Sequence, residues 1–588
     1  MMMQPPSSTG LSSAGEGAED GVLEAIVIIP LVVYGAAQRM PARVRMLAVH
    51  FSVWLPAFPS SKTVRNLTGR NERPARARGG FWRAGSVKRW APRPPTGMLV
   101  HCAPRSSLFT YQPGVMMHSR PCSSFVTGRL FEQVDAASLA FFRICFGVIM
   151  LVECGRFYRH DWIERYYISP DFLFSYYGFE WITPLPGNGM YWLFGALALL
   201  SLCVTIGLFY RLAIVLLWLG FTYVFLLDQA RYLNHFYLVS LMLFLLSWVP
   251  AHRIWSVDAW RKGGRDGTTV GLWSVWLLRG QMEVMLIFAG LVKLNPDWLR
   301  LEPLGMWLAR RAEAPLIGPW LEQDWMVAVA AYGAIAVHLV GAPLLLWRRT
   351  RLPIILAYCG FHLSNHFMFT IGIFPWLTMA ATLLFLDPDW PRQVLHGLRR
   401  RMGLTPAPYR PSLPGPTPGL ALRRVVLGGM VVWFAVQVLL PLRHLLYEGN
   451  PSWTEEGHTF AWMMKLRDKK ADIEFRVFDP PTRREWRVEP NDFLFPHQAR
   501  KVGTRPDLIV QLAHHIERVW ERELGVSDVE VRVRSCVSLN GRPAALLIDP
   551  QRDLTQVKRS LRQADWILPL RVPFERPPQR SRRYDLSC

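Results

Sequence analysis

About nine stretches of roughly twenty apolar residues recur between position 137 and position 442, each matching the length that crosses ~30 Å of hydrocarbon. They lie near 137–155, 190–209, 211–228, 233–250, 275–293, 325–347, 352–369, 371–387 and 424–442. The 352–369 run holds two His and one Asn and is the most polar of them. In lipid only elements that satisfy their own backbone hydrogen bonds can span, so these runs predict helices. The fold class is therefore mainly α: a polytopic membrane helical bundle of about nine spans. A C-terminal α+β domain follows it.

The formal charge of +23 raises the question of nucleic acid. Its distribution points elsewhere. Residues 1–120 carry 15 Lys and Arg against 5 Asp and Glu, and much of the remainder sits in short loops between apolar runs. Loop-confined basic residues orient a membrane protein, so no nucleic-acid partner is expected. The 251–274, 348–351 and 388–423 connections carry Arg253, Arg261, Lys262, Arg265, Arg348, Arg349, Arg351, Arg392, Arg399, Arg400 and Arg401. They alternate along the chain, so all three fit the cytoplasmic side together, which puts residues 443–588 outside. Eight scattered cysteines form no CxxC and no Cys/His cluster; neither a metal site nor a disulfide framework is indicated.

The organisation predicted is threefold. Residues 1–120, Arg-, Pro- and Ser-rich, read as a disordered or misannotated basic extension, with initiation near Met116 or Met117. Residues 125–442 form the transmembrane domain. Residues 443–588 form an extracytoplasmic α+β domain, because "ADIEFRVFD", "REWRVEP", "VEVRVRSCVSL" and "AALLIDP" read as strands around the helical "DLIVQLAHHIERVWEREL".

Polar residues inside the apolar runs mark the candidate site. Lys293 ends the fifth span, in "IFAGLVKLNPDWL". An ammonium there costs a few kcal/mol unless it snorkels or sheds its proton. Asn234 and His235 begin the inward-running fourth span, and His362, Asn365 and His366 share one face of the outward-running seventh. All reach the outer part of the membrane, and a functional polar site competes there with helix-packing and snorkelling readings. Arg279 and Glu283, four residues apart in span five, are expected to form a structural ion pair.

The ordered set "YVFLLDQARYLNHFYL", "WSVDAW", "LLRGQ", "FAGLVKLNPDWL", "FHLSNHFMFTIGIFPW", "PSWTEEGHTFAWMMKLR" and "SLNGRPAALLIDPQRDL" resembles vitamin K-dependent gamma-glutamyl carboxylase and its bacterial relatives, which share the horizontally transferred transmembrane (HTTM) domain. The likeness runs over about 125–570. It implies conversion of protein Glu to gamma-carboxyglutamate with reduced vitamin K, O2 and CO2, leaving the epoxide, with no metal. Lys293 matches the family's catalytic lysine, and His235 and His362 match its histidines. Asn234 and Asn365 would help bind substrate or quinone. A protein base need only deprotonate the hydroquinone, whose oxygenation supplies the stronger base that the γ-CH of Glu requires. A desolvated lysine suits that task. An apolar groove among spans four, five and seven would hold the isoprenoid tail. The animal enzyme's bridge between its lumenal loop and C-terminal domain has no counterpart, since residues 155–202 and 360–535 lack cysteine. Implied partners are membrane lipid, a Glu-containing secreted polypeptide and a quinone or epoxide reductase. The setting implied is a bacterial inner membrane. The competing reading is a non-carboxylating quinone oxygenase or quinone-binding scaffold on the same fold.

Overall fold

The computed structural model describes residues 128–263, 267–315, 317–369, 371–404, 418–574 and 586–588. The expectations for residues 1–120, including the start near Met116, lie outside the described residues.

Every one of the nine apolar runs is helical. They form α1 (Ala137–Arg159), α2 (Gly189–Ile206), α3 (Tyr210–Leu226), α4 (Asn234–Trp248), α5 (Leu272–Leu291), α6 (Asp324–Leu339), α7 (Arg351–Met368), α8 (Phe374–Thr382) and, after the Arg-rich α9 (Trp390–Arg401), α10 (Leu420–Leu442). Among the described residues, four helices are both long and apolar enough to cross a membrane: Ala137–Arg159, Gly189–Ile206, Leu272–Leu291 and Leu420–Leu446. Four more are apolar but shorter, at Tyr210–Leu226, Asn234–Trp248, Asp324–Leu339 and Phe374–Phe385. The expected nine full-length spans are thus only partly matched. The reasons are local. The sixth run breaks at Val340 and resumes as Gly341–Leu346, and α7 is diluted by its His, Ser and Asn residues.

Short connections make sequence neighbours antiparallel partners, α1 against α2, α2 against α3 and α3 against α4, while α5 packs on α6 and α10. One corner shows how the loops are held. Gly207 caps α2 at φ +68°, and a Cβ there would fall 2.3 Å from Ser256 Cβ and 2.8 Å from a guanidinium nitrogen of Arg143. Only glycine combines that backbone with that approach. Arg143 is wholly buried, and its two terminal nitrogens donate to the carbonyls of Ala251 (3.2 Å), Thr205 (3.3 Å) and Trp255 (2.5 Å).

The two ends of the bundle differ. At one end β1 (Gln133–Asp135) pairs antiparallel with β2 (Thr269–Gly271). There Arg392 meets Asp135 at 2.8 Å, and Asp387 takes Arg348 at 2.8 Å and Arg351 at 3.1 Å. The basic connections therefore gather at one end. The C-terminal region occupies the other. Its sheet has the order β4–β3–β5–β6, all antiparallel, from β3 (Lys469–Asp479), β4 (Arg484–Val488), β5 (Glu530–Leu539) and β6 (Ala545–Leu546). Phe475 lies opposite Val533 in that register. The buried strand face packs with Ile509, Leu512 and Ile516 of α11 (Pro506–Val519).

This region is not a separate bead. Phe174 and Ala230, from bundle loops, lie in its core. Gln511 accepts from Ser175 N (2.9 Å), Gln498 donates to Phe172 O (2.9 Å) and Lys501 donates to Ala230 O (2.5 Å). In return Trp462, fully buried, enters the bundle core and packs 4.8 Å from the Tyr237 ring.

Two expectations are corrected. Arg279 and Glu283 do not pair: Arg279 donates to Leu384 O (2.7 Å) and Leu386 O (2.9 Å), while both Glu283 carboxylate oxygens are buried without a partner. The open carbonyls where α8 ends compete better for the guanidinium than a carboxylate on its own helix. A disulfide is also present, joining Cys536 of β5 to Cys588, whose Cα atoms are 5.8 Å apart.

Candidate functional site

Lys293 owes its position to the residues after it. Beyond α5 the chain turns, and Asn295 caps the short helix Pro296–Leu299, its Oδ1 accepting from Trp298 N at 3.0 Å. Asn as cap and Pro as first helical residue are the preferred start of such a turn. The turn holds the Trp298 ring 5.4 Å from the lysine Nζ. Lys293 is 5% exposed and donates to Ala289 O at 2.5 Å. The carboxylate closest in sequence, Asp297, is engaged elsewhere: it takes a two-pronged ion pair from Arg542 (2.6 and 2.7 Å) and a hydrogen bond from Asn540 (2.8 Å). Among the described residues no acid pairs with Lys293.

His362 is 2% exposed, and neither ring nitrogen has a hydrogen-bond partner. Aromatic rings hold it: Tyr358 stacked at 6.0 Å, Phe361 at 5.3 Å and Phe374 edge-on at 5.9 Å. Phe374 also lies 6.2 Å from the His235 ring, so one phenyl group bridges the two histidines. The turn at Gly372–Phe374 does this. It reverses at Gly372 (φ +56°), where a Cβ would stand 3.7 Å from His235 Nε2 and 3.2 Å from an Arg156 nitrogen. Arg156 in turn pairs with Glu153 at 2.9 Å.

Asn234 accepts from the Tyr232 hydroxyl at 3.0 Å, and that hydroxyl accepts from Phe460 N at 2.9 Å. The amide is thereby wired to the C-terminal region. Asn365 differs, because its side chain donates to Phe361 O of its own helix at 3.0 Å. His366 packs on Trp376. Of the residues singled out in the sequence, His235 and His362 meet at Phe374, and Lys293 joins them through His338. This fourth group passed unnoticed: His338 of α6 is 4% exposed, with Lys293 and His362 as ionisable neighbours. Its signal was a lone imidazole in an otherwise apolar span.

Above the site lies a cationic seam in the C-terminal region. Lys469 donates to Trp453 O (2.8 Å), Thr504 O (2.7 Å) and Glu455 (3.1 Å), and Arg467 pairs with Glu455 at 2.7 Å. Burial pushes Lys469 down to about 8, and burial with Arg505 and Arg231 nearby pushes Lys501 down to about 7.

The apolar helical bundle thus gathers a lysine and three histidines below a docked α+β cap. Residues 131–390 match the HTTM domain, and residues 422–572 match the lumenal domain of vitamin K-dependent gamma-carboxylase. The chain belongs to the vitamin K-dependent gamma-glutamyl carboxylase family. No solved structure is significantly similar to it.

Proposed function

We propose that this protein couples oxygenation of a reduced vitamin K-type naphthoquinone to carboxylation of Glu side chains in a secreted polypeptide. The observation that carries this reading is the placement of Lys293, buried without an acidic partner, beside the histidine cluster that closes around Phe374.

The residues present suit such a quinone. His362 offers two unpartnered nitrogens in an aromatic pocket, and an apolar groove of about 250 Å³ runs between α6 and α7, lined by Ala336, Val337, Val340, Gly341, Ile354 and Ala357. That groove, rather than one among α4, α5 and α7, would take the isoprenoid tail. When bound, the reduced quinone supplies through its reaction with O2 the strong base that a γ-CH proton demands. Lys293 accepts the hydroquinone proton, for which it must be neutral. His235 and Asn234 orient the substrate carboxylate. Trp298, Phe460 and Trp462 exclude water, which would quench a carbanion before CO2 reaches it.

The cap faces the extracytoplasmic side in this reading, and the basic connections face the cytoplasm. A disulfide in the cap suits an oxidising compartment, and the setting is a bacterial inner membrane. The spans number nine, the shorter helices crossing where neighbours or local thinning shield their ends. The cap presents the Glu-rich substrate, and a reductase returns the epoxide.

Purified protein given reduced naphthoquinone, labelled bicarbonate and a Glu-containing peptide tests this. Acid-stable label together with epoxide supports it. Epoxide without label supports a quinone oxygenase instead, and neither product from folded protein rules the reading out.

A further inference from the structure

α9 carries two apolar faces, and the bundle covers one of them. Trp390, Val394 and Gly397, at spacings of four and three, turn to the bundle. Trp390 and Gly397 are buried, and the Trp390 ring meets Phe141 of α1 edge-on at 4.9 Å. Arg392 pins the same helix through Asp135 at 2.8 Å. Beside this face runs a second apolar row that nothing in the chain covers. Leu395, Leu398 and Met402, at spacings of three and four, are 45%, 44% and 63% exposed. Leu404, 52% exposed, extends the row. The helix closes at Gly403 (φ +68°), with Leu404 N donating to Arg399 O (3.0 Å) and Gly403 N to Arg400 O (3.3 Å). These are the paired bonds of a Schellman ending, so Leu404 is fixed just beyond the last turn.

The remaining face is cationic. His396, Arg399 and Arg400 share it, and Arg401 ends the helix. From Trp390 to Leu404 the chain has four arginines and no acidic residue. Asp135 takes Arg392; the helix offers the other three no carboxylate. An aliphatic row beside a cationic face is what a helix lying in a bilayer surface presents, acyl chains meeting the first and headgroup phosphates the second. The rest of this end of the bundle marks the same level. Trp248, Trp260 and Trp347, in or beside the basic connections, are exposed, and the Trp255 ring lies 5.8 Å from the Arg392 guanidinium. Tryptophan concentrates where hydrocarbon gives way to headgroups. α9 is also strung between the apolar α8, which ends at Thr382, and α10, which begins at Leu420 and is long and apolar enough to cross a membrane. An acidic polypeptide would answer the arginines but not the four aliphatic side chains. A second copy of this face would bring like charges together.

We propose that α9 is a membrane-surface helix that binds anionic phospholipid, its aliphatic row among the acyl chains and Arg399, Arg400 and Arg401 on the headgroup phosphates of the adjoining leaflet. This goes beyond the carboxylase reading and does not depend on it.

Hydrogen exchange of the full chain in nanodiscs tests the proposal. Replacing about a third of a phosphatidylcholine bilayer by phosphatidylglycerol should slow exchange over residues 398–404. One arginine at an anionic surface is worth about a fivefold factor, so the slowing should lie between about fivefold and on the order of a hundredfold. It should vanish in about 1 M salt, where the Debye length falls to ~3 Å. Changing Arg399, Arg400 and Arg401 together to Gln should abolish the difference between the two bilayers and leave exchange in α1 and α8 unchanged. Leu398→Gln with Met402→Gln should speed exchange in both bilayers.

Equal exchange of the wild type in the two bilayers would overturn the proposal, as would a difference that survives in the triple Gln variant. Protection that rises with protein concentration in lipid-free detergent would assign the face to a second copy. Protection by polyglutamate and not by phosphatidylglycerol would assign it to an acidic protein. Either result overturns the lipid assignment. If the triple variant does not insert, the wild-type salt response decides, because a lipid difference that high salt leaves intact is not made by the arginines. Failure of the protein to make epoxide or label would remove the carboxylase reading and leave this result standing.

Discussion

At the scale of single residues, two buried ionisable groups without a charged partner make opposite predictions. On the proposed reading Lys293 is the base, so Lys293→Ala should abolish both epoxide and label while membrane insertion survives. Lys293→Arg should be equally dead, because a guanidinium does not shed its proton. Full activity in the Arg variant would end the base assignment. Glu283 has no hydrogen bond to lose, and replacing an unpartnered polar group by an apolar one of similar shape is neutral or stabilising. Glu283→Leu should therefore raise the thermal midpoint in detergent, and a fall would show that the carboxylate has an unrecognised role. Lys293 was legible in the sequence because a cation at the end of an apolar run has few excuses. His338 was not, because a single imidazole among Val and Ala residues reads as packing. The i, i+4 spacing of Arg279 and Glu283 misled, since spacing describes one helix and the winning acceptors, Leu384 O and Leu386 O, belong to another.

At the scale of elements, the apolar runs gave the helices and their order, but not which of them fall short. The break at Val340 falls just before Pro343, whose missing N–H and ring disfavour an unbroken helix. The strands of the cap were equally readable from alternation, with the last reduced to Ala545–Leu546. What joins the elements was invisible. Asp297 and Arg542 are 245 positions apart, and Cys536 and Cys588 are 52 apart. Both side chains of the Asp297–Arg542 pair are 7% exposed, and removing one partner of such a pair costs about 3–5 kcal/mol. Asp297→Ala should loosen the cap by that order, measured as faster hydrogen exchange over residues 539–542 and a lower unfolding midpoint. Arg542→Met in the same chain should recover part of the loss, because the stranded charge is then gone. A double variant no better than the single one would place the coupling elsewhere.

At the scale of the whole molecule, the cationic seam makes the join between cap and bundle sensitive to pH. Lys501 is depressed to about 7 in the folded protein, against about 10.4 for an ordinary lysine. Between those values the unfolded chain binds the additional proton, so stability rises with pH there and falls as pH drops toward 7. The thermal midpoint should thus climb from pH 7 to pH 9, and Lys501→Met should flatten the climb. A slope that the substitution leaves intact would assign it to Lys469 or another group. Orientation is tested at the same scale: cysteines placed at Lys262 and Arg476 should react with an impermeant thiol reagent from opposite faces of the membrane.

The interlocking of cap and bundle also sets a timetable. The walls around Lys293 include Trp298, whose apolar cluster is completed by Ala461, Met463 and Leu466, and the turn that carries the lysine is pinned by Asn540 and Arg542. These partners leave the ribosome more than 160 residues after the lysine. A nascent chain that has formed the bundle helices but not the cap therefore lacks part of that wall. On the proposed reading the wall around Lys293 is complete only once the last strands of the cap have folded over the bundle.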